Sequence, residues 1–162
     1  MTEQYTHLLP FYKGWDAYQD LLIKSLMPLP NEQLALHAAP HLRSIGENAA
    51  HIVGTRVGWF HGLMGEGGEA IEPMDAWDEE NAPARSTTEL IVGLEASWQM
   101  IQDALTRWTP ADLEYVFEGT RNGKAYRLTR QWVIWHVIEH DLHHGGEISF
   151  ALGMHNLEGL DI

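Results

Sequence analysis

Apolar residues recur at three- and four-residue steps in four stretches of the chain, the mark of a helix with one buried face. The first predicts a helix from about Gln4 to Met27, with Leu8, Phe11, Trp15, Tyr18, Leu22 and Leu26 on that face. Pro10 lies inside the pattern and lacks the N–H of an interior turn, so a kink or a later start is expected. The second runs from about Leu42 to Met64, with Ile45, Ala49, Ile52, Val53, Arg56, Trp59, Phe60 and Leu63 at helical spacing. Ser44 followed by Glu47 reads as a capping box at its start. The third opens at "STTEL", where Ser86 or Thr87 is the cap, and carries Leu90, Leu94, Trp98, Ile101 and Leu105 until Pro110 disfavours continuation. The fourth begins near Thr129 and is expected to stop at Gly153.

The segments between these helices differ in character. Residues 65–85 are acidic and rich in Gly and Pro, and read as a long connection that is either functional or partly mobile. In "YVFEGTRNGKAYRLT", Asn122-Gly123 is the preferred two-residue turn of a tight hairpin. The expected fold is therefore all-α, a four-helix bundle with a small β-hairpin before the last helix, in one domain spanning residues 1–162. Gly145 and Gly146 fall inside the fourth helix, where each costs about 1 kcal/mol against Ala. Close packing or a functional site is the expected reason for them.

Composition narrows the function. A chain of 162 residues with 44% hydrophobic content can bury a core of its own. It has no apolar run long enough to cross a membrane and no N-terminal secretory pattern, so a cytoplasmic location is expected. Ten Lys and Arg stand against 23 acidic residues, a formal charge of -13. Nucleic acids and anionic membrane surfaces are poor partners for such a chain. A small molecule or a metal ion is the expected ligand. With no cysteine there is no disulfide and no thiolate metal site, and any thiol in the chemistry must come from a small molecule.

"HVIEHDLHH" places four histidines in nine positions. His136, His140, His143, His144 and Glu147 fall within about 100° of arc on one side of the helix. His140 and His144 are one turn apart, the spacing that brings two imidazoles to one metal ion. No Glu follows His140 directly, so the metalloprotease motif is absent. A catalytic zinc site takes three protein ligands and keeps one position open. The best third candidate is His51, mid-helix and flanked by apolar residues in "AAHIVGT". The competing readings are a solvated or hydrogen-bonded histidine face on the last helix, and a core histidine at position 51. His61 is a more remote candidate. Trp59, Tyr126 and Trp132 are candidate pocket walls.

At "RSIGENAAHIVGTRVGWF" and "TRQWVIWHVIEHDLHHGGEISFALG" the sequence resembles the DinB/YfiT-like superfamily, and the likeness extends over nearly the whole chain. The resemblance implies a four-helix bundle of up-down-down-up course, with one divalent metal held by His51, His140 and His144. Zinc is the expected ion and nickel the close alternative, since imidazole suits both. His136, His143 and Glu147 then become neighbours that support the ligands or touch substrate. Glu47, Glu139, Asp141 and Glu147 are the candidates to orient the ligand imidazoles. Many relatives carry a basic residue and then Gly-Gln after the last ligand, where this chain has Gly145, Gly146 and Glu147. Relatives of known activity resemble metal-dependent transferases or isomerases that use a low-molecular-weight thiol such as bacillithiol or mycothiol. A metal-binding, stress-associated bundle without turnover is the alternative. Relatives also resemble homodimers, and Trp77 and Trp108 are aromatics expected at the surface.

Overall fold

The computed structural model describes residues 6–161. Four long helices form a bundle: α1 (Lys13–Leu26), α2 (Ile45–Val57), α3 (Thr87–Arg107) and α4 (Arg130–Met154). An antiparallel hairpin of β1 (Val116–Arg121) and β2 (Lys124–Thr129) precedes α4. The expected start of the first helix at Gln4 lies outside the described residues. What is described begins as a 3-10 turn at Leu9–Tyr12 with Pro10 in its first turn, and the α-helix starts only at Lys13. The later start follows from Pro10, whose ring nitrogen has no hydrogen to give.

The helix starts are set by side chains. Ser44 and Ser86 each accept the N–H three residues on, and Glu47 and Glu89 reach back to the cap N–H groups. Thr129 caps α4 by accepting from Trp132. The second helix begins at Ile45, three residues later than the apolar pattern suggests, and passes into a π-helical stretch at Gly58–Leu63. Gly153 does not end α4; the helix runs to Met154, and Asn156 supplies the left-handed residue with φ 58°. Asn122 and Gly123 both take positive φ, 52° and 74°, as a tight hairpin turn requires.

The core is divided into two clusters, one at each end of the bundle. One contains Leu22, Leu26, Ile45, Ile52, Leu90, Leu94, Ile148 and Leu152. The other contains Trp15, Phe60, Trp98, Ile101, Leu105, Ile134 and Val137. Sequence order within the clusters gives the directions. α1 and α4 run from the second cluster to the first, and α2 and α3 run the opposite way, which is the up-down-down-up course. Parallel α2 and α3 need a crossover, and residues 64–86 supply it.

That crossover is more ordered than its composition suggests. Glu69–Asp78 forms 3-10 turns that pack along α2, with Ile71 buried. Gly54 and Gly58 make room for it: a Cβ on Gly54 would lie 2.9 Å from Asp78 Oδ1, and one on Gly58 would lie 2.8 Å from Asp75 Oδ1. Trp77 and Trp108 are not surface aromatics. Trp77 is half-buried against Gly93 and under Arg85, and Trp108 is buried beside Phe60 and Arg130. Indole area is cheaper to bury than to hydrate. The exposed large apolar residues include Phe11, Trp135, Leu142, Phe150 and Met154.

A buried polar network joins the four helices. Asp141 Oδ2 accepts from Trp15 Nε1 at 2.7 Å and from Arg56 Nε at 2.9 Å. Arg56 Nη1 donates to Gln19 Oε1 at 2.7 Å, and Gln19 Nε2 donates to the Leu94 carbonyl. Arg56 and Asp141 are both fully buried. Removing one partner of such a pair strands the other charge, which typically costs about 3–5 kcal/mol.

Candidate metal centre

His51 projects from the middle of α2, and His140 and His144 from successive turns of α4. Their candidate ligand atoms all lie within 4.8 Å of one another. The rings are close, with centroids 4.6 Å apart for His51 and His140, 4.5 Å for His51 and His144, and 4.3 Å for His140 and His144. His51 Nε2 and His140 Nε2 are 2.9 Å apart.

Two carboxylates decide which nitrogens face the centre. His51 Nδ1 lies 2.6 Å from Asp78 Oδ2, and His144 Nδ1 lies 2.7 Å from Glu147 Oε2. An ionised carboxylate only accepts, so each of these Nδ1 atoms carries the proton and donates it. The Nε2 lone pairs of His51 and His144 are then free to ligate. A carboxylate behind a ligand imidazole is the usual support of a metal-binding histidine.

His140 completes a nearly equilateral triangle with the other two rings. Its pKa is pushed down to about 3, first by burial and then by the neighbouring His144, His51 and His136. That of His144 is also lowered by burial, against the opposing hydrogen bond to Glu147. Both imidazoles are therefore held neutral, the form that binds a metal. His140 Nδ1 is buried without a hydrogen-bond partner, and Thr55 Oγ1 lies 3.1 Å from His140 Nε2. Three converging imidazoles, two of them backed by carboxylates, fit a divalent ion such as zinc.

The other anticipated residues take different places. His136 stacks on Trp132 at 4.9 Å with 12° between planes and meets Trp59 edge-on at 5.0 Å, forming an aromatic wall one turn from His140. His143 is exposed, its Nε2 3.5 Å from Glu147 Oε1, and together with His144 and Glu147 it forms a second, more exposed group of metal-ligating type. His61 turns away to the Glu66 carbonyl. Of the carboxylates considered for orienting the ligands, only Glu147 does so. Glu47 is engaged by the Ser44 cap, Glu139 is exposed, and Asp141 points into the core. Asp78 was not anticipated; its only signal in the sequence was its place in an acidic connection with no helical pattern.

Gly145 answers the question of the glycine pair in part. A Cβ there would lie 2.1 Å from the Tyr18 hydroxyl, so α1 and α4 approach one another only because residue 145 has no side chain. Gly146 meets nothing within 4 Å, and its presence has no structural account.

A family model for the DinB superfamily matches residues 14–148, and the chain belongs to that superfamily. Among solved structures it is similar to a DinB-like protein from Bacillus cereus, with 21% identity, a TM-score of 0.73, and coverage of 98% of this chain and 99% of that one. It is also similar to a conserved protein from Enterococcus faecalis, with 15% identity, a TM-score of 0.62, and coverage of 85% and 92%. A search among curated proteins returned no match. At these identities the two structures speak for the fold alone.

Proposed function

We propose that the protein is a metal-dependent transferase that joins a low-molecular-weight thiol to an electrophile, with His51, His140 and His144 as the ligands of one divalent ion. The observation that carries this reading is the convergence of three imidazoles, with Asp78 and Glu147 fixing the ring orientation of two of them. Zinc is the expected ion, with nickel as the alternative. Such an ion supplies Lewis acidity and favours the thiolate over the thiol.

The chain's own residues do the rest. His140 and His144, whose pKa values burial lowers, present lone pairs instead of positive charge. The stacked rings of Trp132 and His136, with Trp59 edge-on to them, give an aromatic wall on which an electrophile can rest. Neither Glu47 nor Glu147 is free to close the centre, since one caps α2 and the other is bonded behind His144. The absence of cysteine leaves no internal thiol to compete. In the reaction the S–H proton passes to solvent, a sulfur–carbon bond forms, and the leaving group departs from the electrophile.

The test supplies bacillithiol, mycothiol, glutathione and cysteine in turn to metal-loaded protein with an aromatic halide as electrophile. Turnover with at least one thiol, lost in His144→Ala, is the expected result. Rates equal to those of His144→Ala for every thiol would leave the non-enzymatic metal-binding bundle as the better reading. Elemental analysis of protein purified without a nickel column checks the ligands: one ion per chain is expected, and none in His51→Ala or His144→Ala.

A homodimer in the cytoplasm is part of the same proposal. Its support is the exposed apolar set Trp135, Leu142, Phe150 and Met154 on α4, and light scattering at micromolar concentration should give about twice the chain mass of 18.4 kDa. No helix among the described residues is long and apolar enough to cross a membrane.

A further inference from the structure

We infer that the groove between α2 and the hairpin receives the carboxylate-bearing tail of an elongated substrate, anchored by Arg121 and Lys124, while the substrate's reacting end lies at the three histidines. The groove has a volume of about 740 Å³, and Thr55, Trp59, Asp78, Arg121, Lys124 and Tyr126 are among its walls. One end borders the metal centre, since Thr55 and Asp78 in its wall are bonded to His140 and His51. The other end lies at the hairpin tip.

Two cationic side chains meet at that tip. Arg121 and Lys124 are register partners, directly opposite one another across the hairpin. Like charges in that relation destabilise a strand pair. Neither has an ion-pair partner among the described residues. Five of the ten cationic side chains, Arg56, Arg85, Arg107, Arg127 and Arg130, face a carboxylate. Among the five without an ion-pair partner in the described residues, Arg121 and Lys124 are set opposite one another on a groove wall, an arrangement matched to an anion from outside.

The remaining walls set the direction of binding. Asp75 and Asp78 line the groove on the side of α2 and repel a negative group there, so the anionic end belongs at the hairpin. Trp59 and Tyr126 add aromatic side chains to the walls along the way. Gly119, the register partner of Tyr126, leaves space for its ring: a Cβ would lie 2.5 Å from the Tyr126 hydroxyl. The tip presents cationic side chains but no helix N-terminus, the feature that phosphate sites commonly use, and this favours a carboxylate.

The inference rests on the metal-centre reading for the position of the reacting end, and one experiment separates the two. Cobalt(II)-loaded protein is titrated with a homologous series of ω-mercaptoalkanoates and with the matched ω-mercaptoalkanols. Calorimetry reads affinity, and the sulfur-to-cobalt charge-transfer band reads ligation. At one chain length the acid should bind at least about tenfold more tightly than the alcohol, as a charge-assisted contact provides. In Arg121→Gln/Lys124→Gln the ratio of acid to alcohol affinity, taken within the same protein, should fall to about one. Equal affinities at every length with the cobalt band present would overturn the groove assignment and leave thiol ligation standing. An acid preference that depends on Arg121 and Lys124 without any cobalt band would support the groove and overturn the thiol reading. Absence of both signals would overturn both.

Discussion

Asp78 and Glu147 are small contributors to the fold and large ones to the centre, because each fixes a ring nitrogen rather than a backbone. Replacing Asp78 by Asn keeps the size but gives up the negative charge that holds the Nδ1 proton of His51. Loss of such a partner typically weakens metal binding by about 10–100-fold. Competition with a chromophoric chelator should show a loss of that order in Asp78→Asn, and a lesser one in Glu147→Gln, whose carboxylate is the more exposed. Gly145 offers a test of packing instead of charge. Gly145→Ala pushes a methyl group against Tyr18, and overpacking of this kind costs about 1–3 kcal/mol in urea unfolding. Tyr18→Phe in the same chain should recover part of that loss. Legibility at this scale followed covalent spacing: His140 and His144 could be placed because four residues make one helical turn. Asp78 could not, since it comes from a connection whose path no periodicity fixes. Arg56 stood visibly in an apolar stripe, but nothing in the sequence paired it with Asp141.

The helices start where their caps say they start, and the caps titrate. The backbone N–H groups of Ser44 and Ser86 hold the Glu47 and Glu89 carboxyls below the ordinary value of 4.5. A folded pKa below the unfolded one means that the contribution is present above about pH 4.5 and is lost as the pH falls through the folded value. Both side chains are exposed, so the effect is small. The fall in urea midpoint between neutral pH and pH 3 should therefore be shallower in Glu47→Gln/Glu89→Gln than in the parent; an equal fall in both would count against the caps as its source. The capping boxes were readable because their parts sit three residues apart. The π-helical turn at Gly58–Leu63 was not, because its apolar residues fit an ordinary helix equally well.

Taken as a whole, the molecule is a bundle whose parallel α2 and α3 oblige the chain to cross over. The need for a long connection was legible; its order was not, because Gly54 and Gly58 read as weak points of a helix until Asp75 and Asp78 are seen in the space they leave. Limited proteolysis can tell an ordered crossover from a loose one. Cleavage is expected first within residues 79–85, after the 3-10 turns end at Asp78, and later within 69–78. Early cuts inside 69–78 would mean that this segment does not stay on α2, and the centre would then lose its hold on His51.

One turn and a half of α4 carries more than one duty. His140 and His144 face the centre, Asp141 faces the buried Arg56, and Gly145 lies against Tyr18. Leu142 and His143 look outward. Six consecutive positions thus contain four fixed by unrelated physical demands and two left to vary. A saturation library over residues 140–145, selected only for folded protein, should keep Asp141 and Gly145 and release the histidines. Selected also for retained metal, it should narrow to four near-invariant sites, with diversity surviving at positions 142 and 143.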